Sequence, residues 1–233
     1  MSDPRIALVA EGPTDFIVIE AALRAILNRT FILSQLQPEP TRPEMGGGWG
    51  GVFKWCQQFR LRGATSIEAD PTLANFDLVI MHLDADVADK SYADCGNTAV
   101  QAAIGLQALP CSRPCPPPSD TVKALEAVLL SWLNIPAIGP KSLFCIPSKA
   151  TDAWLASAVL PQGHTLLAGL ECNPNLETGL AQLPKAQRIR KSIPQYRSVT
   201  GSVVSQWQRV KTHCTQAAVF EQQVQTIAQA FPT

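Results

Sequence analysis

Two short acidic motifs, each directly behind an apolar run, carry the residue types most able to do chemistry in this 233-residue chain. Glu11-Gly12-Pro13-Thr14-Asp15 follows Ile6-Ala7-Leu8-Val9-Ala10, and Asp84-Ala85-Asp86 follows the run from Leu78 to Leu83. Side chains alternate along an extended strand end, so Asp84 and Asp86 are expected to point the same way and offer two hard oxygen ligands to one divalent cation. Two like charges that close repel each other unless a cation sits between them. Magnesium suits such a half-open site, because it takes one or two carboxylates and fills its other positions with water and substrate phosphate. Glu11, at the C-terminal end of a strand, occupies the edge where open α/β sheets hold ligands. Asp15 falls in the first turn of the next helix, where the dipole favours negative charge. Taken by itself, the first motif also reads as a capping Asp15 beside a surface Glu11.

The elements that must position these residues follow from hydrophobic period and breakers. Ile6 to Ala10 is a buried strand stopped by Gly12-Pro13, and Thr14 is placed to cap a helix that ends near Asn28. Phe31 to Leu36 reads as a second strand, and Gln37 to Gly51 as a Pro/Gly-rich loop near the active edge, without the Lys-Ser/Thr of a P-loop. A helix from Val52 to Arg62 and a strand from Phe76 to Leu83 come next, with His82 read as a core histidine. Residues 87 to 118 read as an irregular, proline-rich excursion. Ser119 or Asp120 caps a helix from Thr121 to Leu133, Leu143 to Ile146 forms a fourth strand, and Thr151 caps a helix carrying Trp154 and Leu155. Beyond Asn173 the pattern is helical. Strands alternating with helices predict an α/β fold with a mainly parallel central sheet flanked by helices. The expected division is a core over 1–160, with loop insertions at 37–51 and 87–118, and a mostly helical, basic C-terminal extension over 161–233 packed on it.

A strand ending in Glu11-Gly-x-Thr-Asp15, a helix-strand-helix segment, and a second apolar strand ending in Asp84-x-Asp86 together resemble the Toprim domain, over roughly residues 5 to 150. The Glu-x-x-x-Asp form looks most like the small Toprim proteins and overcoming-lysogenization-defect nucleases, often effectors or partners in anti-phage defence. The stretch Cys145 to Leu155, with Asp152 before Ala-Trp-Leu, is similar to a later segment of these proteins. The resemblance implies a Toprim-like fold and a metal-dependent nuclease that hydrolyses phosphodiester bonds of DNA or RNA. Glu11, Asp15, Asp84, Asp86 and Asp152 would then hold one or two magnesium or manganese ions that polarise the phosphate and activate water. Glu11 could instead serve as general base, and Lys149 could neutralise the leaving oxygen or stand as a surface lysine. Two other readings remain open. One is a non-catalytic or conditionally active Toprim-like subunit that regulates a partner ATPase. The other is a metal-dependent sugar-nucleotide transferase built on Asp84 and Asp86, which leaves the first motif unused.

Charge is distributed unevenly. Net charge is zero, yet residues 1 to 179 hold 12 Lys/Arg against 18 Asp/Glu, and residues 180 to 233 hold 7 against 1. Lys185, Arg188, Arg190, Lys191 and Arg197 form a run with no acid, suited to sequence-independent contacts with nucleic-acid phosphates, and Tyr196 among them could stack on an unpaired base. A solvated basic face, or an interface with an acidic partner, reads the same run equally well. With 46% hydrophobic residues the chain is globular, and the interrupted run Val128 to Ile138 falls well short of the about 18 to 20 residues a membrane span needs. The N-terminal apolar run is too short for a signal peptide. Seven scattered cysteines then fit a reducing cytoplasm with free thiols and no structural disulfide. Cys111-x-x-x-Cys115 has poor zinc spacing.

Overall fold

The computed structural model describes residues 2–231. Four strands, β1 (Arg5–Val9), β2 (Ile32–Gln37), β3 (Leu78–His82) and β4 (Ser142–Cys145), form one sheet in the order β2-β1-β3-β4. All three pairings are parallel, with Val9 opposite Met81 and Met81 opposite Phe144. The N-terminal end of the β1/β3 pair is closed by Asp77, which accepts the Arg5 N–H at 2.8 Å through its carboxylate and returns its own N–H to the Arg5 carbonyl.

Period-2 alternation in the strands builds two cores, one on each face. Ile6, Leu8, Leu78, Ile80 and Leu143 face one, and Ala7, Val9, Val79, Met81 and Phe144 face the other. The first core is covered by α1 (Pro13–Leu27), and the second by α2 (Gly48–Leu61). After a short α3 (Asn97–Ala102), α4 (Ser119–Leu133) joins α2 on the second face. The chain then returns to the first face with α5 (Asp152–Val159), α6 (Leu176–Gln182), α7 (Ile193–Ser205), α8 (Trp207–His213) and α9 (Thr215–Ala228). Tyr196, Val203, Trp207, Phe220 and Val224 of these C-terminal helices lie in the same core as β1 and α1. Asparagines in the left-handed conformation end α1 and α4 at Asn28 (φ 46°) and Asn134 (φ 58°), a backbone state Asn tolerates better than most residues.

Because β1 leads to β2 on one side while β3 lies on the other, the order in which strands are added reverses between β1 and β3. That reversal opens a crevice at the C-terminal ends of these two strands. The acidic motifs end β1 and β3.

Several local expectations change. The glycine run is not all loop: α2 starts at Gly48, and Gly51 lies inside it with no room for a side chain, since a Cβ there would come 2.7 Å from the Gly46 carbonyl oxygen. Thr14 does not cap α1; the N-cap is Gly12, and Pro13 opens the helix. The excursion 87–118 contains short 3₁₀ turns and α3. It is anchored by packing of Tyr92 with Trp49, Phe53 and Trp132, and by the Trp132 Nε1–H donating to the Tyr92 hydroxyl. A disulfide joins Cys115 to Cys172, against the expectation of none, so the cysteines do not point to a reducing compartment. Cys56, Cys145 and Cys214 are free and buried, as expected. Among the described residues no helix is long and apolar enough to cross a membrane.

Candidate metal centre

Three of the four strand ends, together with the turn before α2, supply the crevice. Glu11 follows β1, Asp84 follows β3, and Thr151 and Asp152 stand at the start of α5, after β4. Behind β2, the Gly48 N–H donates to the Glu11 carbonyl at 2.8 Å and fixes the turn before α2 against the end of β1. Glu11 Oε1 in turn accepts the Asp84 N–H at 2.7 Å, which ties the two acidic motifs together across 73 residues.

Asp84 is 6% exposed, and its Oδ1 accepts from two groups: His82 Nε2 at 3.0 Å and the Thr151 N–H at 3.2 Å. The Thr151 hydroxyl donates to Asp15 Oδ1 at 2.6 Å. Thr151 therefore holds both motifs from the start of α5, rather than capping that helix with its side chain. Burial, then the neighbouring Asp15 charge, pushes the Asp84 carboxyl up to about 7 against the pull of His82. Glu11, half-buried, is held well above the usual carboxylate range by desolvation and the Asp84 charge. His82 moves the other way: burial alone would depress it, but the bond to Asp84 and the surrounding carboxylates raise it to about 9. The His82 ring thus offsets the crowded carboxylates.

Glu11, His82 and Asp84 each place a ligand atom within 4.8 Å of the others, and this group could hold a metal ion. The donor set fits a divalent cation, because two crowded carboxylates that resist ionisation gain most from positive charge. Asp86 lies outside this close group. β3 ends at His82 and residues 85–89 turn into a 3₁₀ helix, so strand alternation does not extend to position 86. The Asp86 carboxylate is about half exposed and lies 3.8 Å from Lys90 Nζ. His82 was missed as a site residue because an apolar strand makes any histidine in it look structural.

A small cavity of about 90 Å³ joins Asp84, Asp86, Asp152, Lys149 and Lys191. Asp152 is buried, accepts from the Tyr196 hydroxyl, and has its Oδ2 3.6 Å from Lys191 Nζ. Lys191 also pairs with Glu177 at 3.2 Å, and the carboxylates around it raise its pKa against burial. Lys191 thus turns its ammonium into the acidic cluster, away from its basic neighbours in sequence. Tyr196 is 1% exposed and cannot stack on a base, contrary to expectation. Lys149, in the left-handed conformation, pairs with Asp89 at 3.1 Å. Lys185, Arg188, Arg190 and Arg197 are exposed.

On the other side of Asp84 and Lys191 a wider cleft of about 630 Å³ is lined by Glu11, Asp15 and the first residues of three helices. These are Gly12 to Thr14 of α1, Gly47 and Gly48 of α2, and Ser192 and Ile193 of α7. None of the three N-caps uses a side chain to satisfy the first turn. Helix N-termini carry partial positive charge, and although Pro13 and Pro194 have no N–H and the Gly48 N–H is spent on Glu11, the cleft sets cation-binding carboxylates beside the positive ends of three helices. No protein-family model matches the chain, and no curated protein or solved structure matches it.

Proposed function

We propose that the protein is a Toprim-type, magnesium- or manganese-dependent phosphodiesterase acting on nucleic acid. One observation carries the reading: Glu11 and Asp84, bonded to each other at the reversal point of a parallel sheet, share a cleft with three uncapped helix N-termini. A cation and a phosphate fit such a cleft together, the cation on the carboxylates and the phosphate oxygens toward the helices.

Glu11 and Asp84, with His82 beside them, would hold the ion, which supplies Lewis-acid polarisation of the phosphate and a more acidic water. The chain's own residues do the rest. Thr151 and His82 orient Asp84, and Thr151 also holds Asp15. In the alternative role, as base and not as ligand, ionised Glu11 would take a proton from water at the oxygen that the Asp84 N–H leaves free. Lys191 stands between the acidic cavity and the cleft, where its ammonium can meet charge developing on phosphate. Its pairing with Asp152 and Glu177 also favours a second reading, a subunit active only once a partner ATPase repositions this segment.

The test is cleavage of plasmid and single-stranded oligonucleotides by the purified chain with magnesium, manganese or chelator, beside Asp84→Ala. Cleavage that needs both metal and Asp84 is expected. Metal-independent cleavage, or cleavage unchanged in Asp84→Ala, would overturn the assignment.

A further inference from the structure

A third hollow, of about 590 Å³, opens between the C-terminal end of α5, the 186–189 segment, α7 and α8. Its wall contains Arg188, Arg209, Gln195 and Ser198 and no Asp or Glu. Among the described residues neither arginine is in an ion pair. Each spends only one N–H on the protein: Arg209 Nη2 donates to the Leu160 carbonyl at 2.6 Å, and Arg188 Nε to the Leu183 carbonyl at 3.0 Å. Arg209 Nε is buried with no hydrogen-bond partner. The Gln195 amide oxygen is taken by the Arg190 N–H at 2.6 Å, which leaves the Gln195 amide N–H groups as its free polar function. Two unpaired guanidiniums and an amide donor, with no carboxylate among them, make a cavity deficient in negative charge. Guanidinium forks match phosphate oxygens in geometry as well as charge.

The position of this cavity gives it a role. Arg188 is three residues before Lys191, so their Cα atoms are at most about 11 Å apart even in a fully extended chain. Lys191 lines the cleft that holds Glu11 and Asp84. The cavity lies at the C-terminal end of α5 and the cleft lies by its first residues, so one strand leaving the cleft past Lys191 can reach Arg188 within a few nucleotides.

We propose that Arg188 and Arg209 form a phosphate subsite that grips the backbone of the nucleic-acid substrate a few nucleotides from the bond being cleaved. The substrate identity rests on the phosphodiesterase reading; the anion site itself rests on the arginine pair. Arg209 lies outside the basic run visible in the sequence and reaches the subsite only through the packing of α8 against α5.

The experiment is fluorescence anisotropy of a labelled thymidine oligonucleotide with hydroxyl ends, bound by the full chain in chelator, across a salt series. Without metal no cleavage is needed, so failure of the nuclease reading and failure of the subsite give different results. Arg188→Gln and Arg209→Gln are each expected to weaken binding on the order of tenfold at low salt, and to reduce the salt slope by about 0.7. Arg209 also supports Leu160, so Ser198→Asp serves as the independent variant: Ser198 is exposed, and the added acid should weaken binding while thermal unfolding stays at wild type. Inorganic phosphate is run as competitor. Oligonucleotide affinity equal to wild type in all three variants would overturn the subsite. Loss of phosphate competition in the variants with no change in oligonucleotide affinity would overturn the strand assignment and leave a free-phosphate site.

Discussion

Two buried aspartates, Asp70 and Asp84, are treated by the fold in opposite ways. Asp70 has its partners supplied: Arg62 Nε and Nη2 reach Oδ2 at 2.7 and 2.6 Å, and the Thr72 N–H and hydroxyl donate to Oδ1. Burial would raise its pKa, but these bonds win and hold it below the usual value. Asp84 is desolvated and crowded by Asp15 and Asp86, His82 and the Thr151 N–H do not make up the difference, and its pKa rises. The first acid is settled by the protein; the second is left short of positive charge. That shortfall separates a carboxylate satisfied by the fold from one that could hold a cation.

The largest effect that sharpens this contrast is on activity. Asp84→Asn should lower metal-dependent cleavage at least ~100-fold while leaving thermal stability unchanged or slightly higher, because a crowded charge is removed. Asp70→Ala should do the reverse, costing about 2 kcal/mol in urea unfolding, a buried-pair loss discounted for the one-third exposure of Arg62, with cleavage retained. Equal destabilisation by both changes would break the comparison.

Acid titration separates the two next. Asp70, with a depressed pKa, contributes stability above about pH 4 that is lost as pH falls through its folded value. Asp84, raised to about 7, does the opposite: it keeps its proton in the fold while the unfolded chain ionises, so its contribution declines as pH rises from about 4 to 7. Magnesium should therefore raise the melting temperature more at pH 8 than at pH 5, since binding must displace protons. A magnesium shift that is the same at both pH values would remove proton competition from the account.

The smallest effect tests the bridge between the motifs. Thr151→Val keeps the backbone N–H on Asp84 and deletes only the hydroxyl bond to Asp15, so a loss of about 1 kcal/mol is expected, with a less than tenfold fall in cleavage. A larger fall in cleavage would mean that Asp15, and not Asp84, is the more sensitive ligand.

Glu11 and Asp84 were legible in the sequence because an apolar run ending in an acid encodes both a strand and its C-terminal end. The parallel sheet was legible for the same reason. Asp86 was misread by carrying strand geometry four residues past His82, where the chain had already turned. Thr151, Lys191 and Tyr196 take their roles from partners far away in the chain: Thr151 from Asp15, 136 residues distant, and Tyr196 from Asp152. No local pattern encodes such meetings. The Cys115–Cys172 bond is of this kind too, since spacing alone cannot pair two of seven cysteines.

The glycine turn behind β2 has a consequence for how the chain can vary. The Gly48 N–H holds the Glu11 carbonyl, and Gly51, one turn later, has the Gly46 backbone where its Cβ would be. A methyl group at position 51 would displace the turn and, with it, the backbone on which Glu11 rides. In a saturation scan scored by function, Gly51 should therefore be as intolerant of replacement as Asp84, although it contributes no atom to the chemistry.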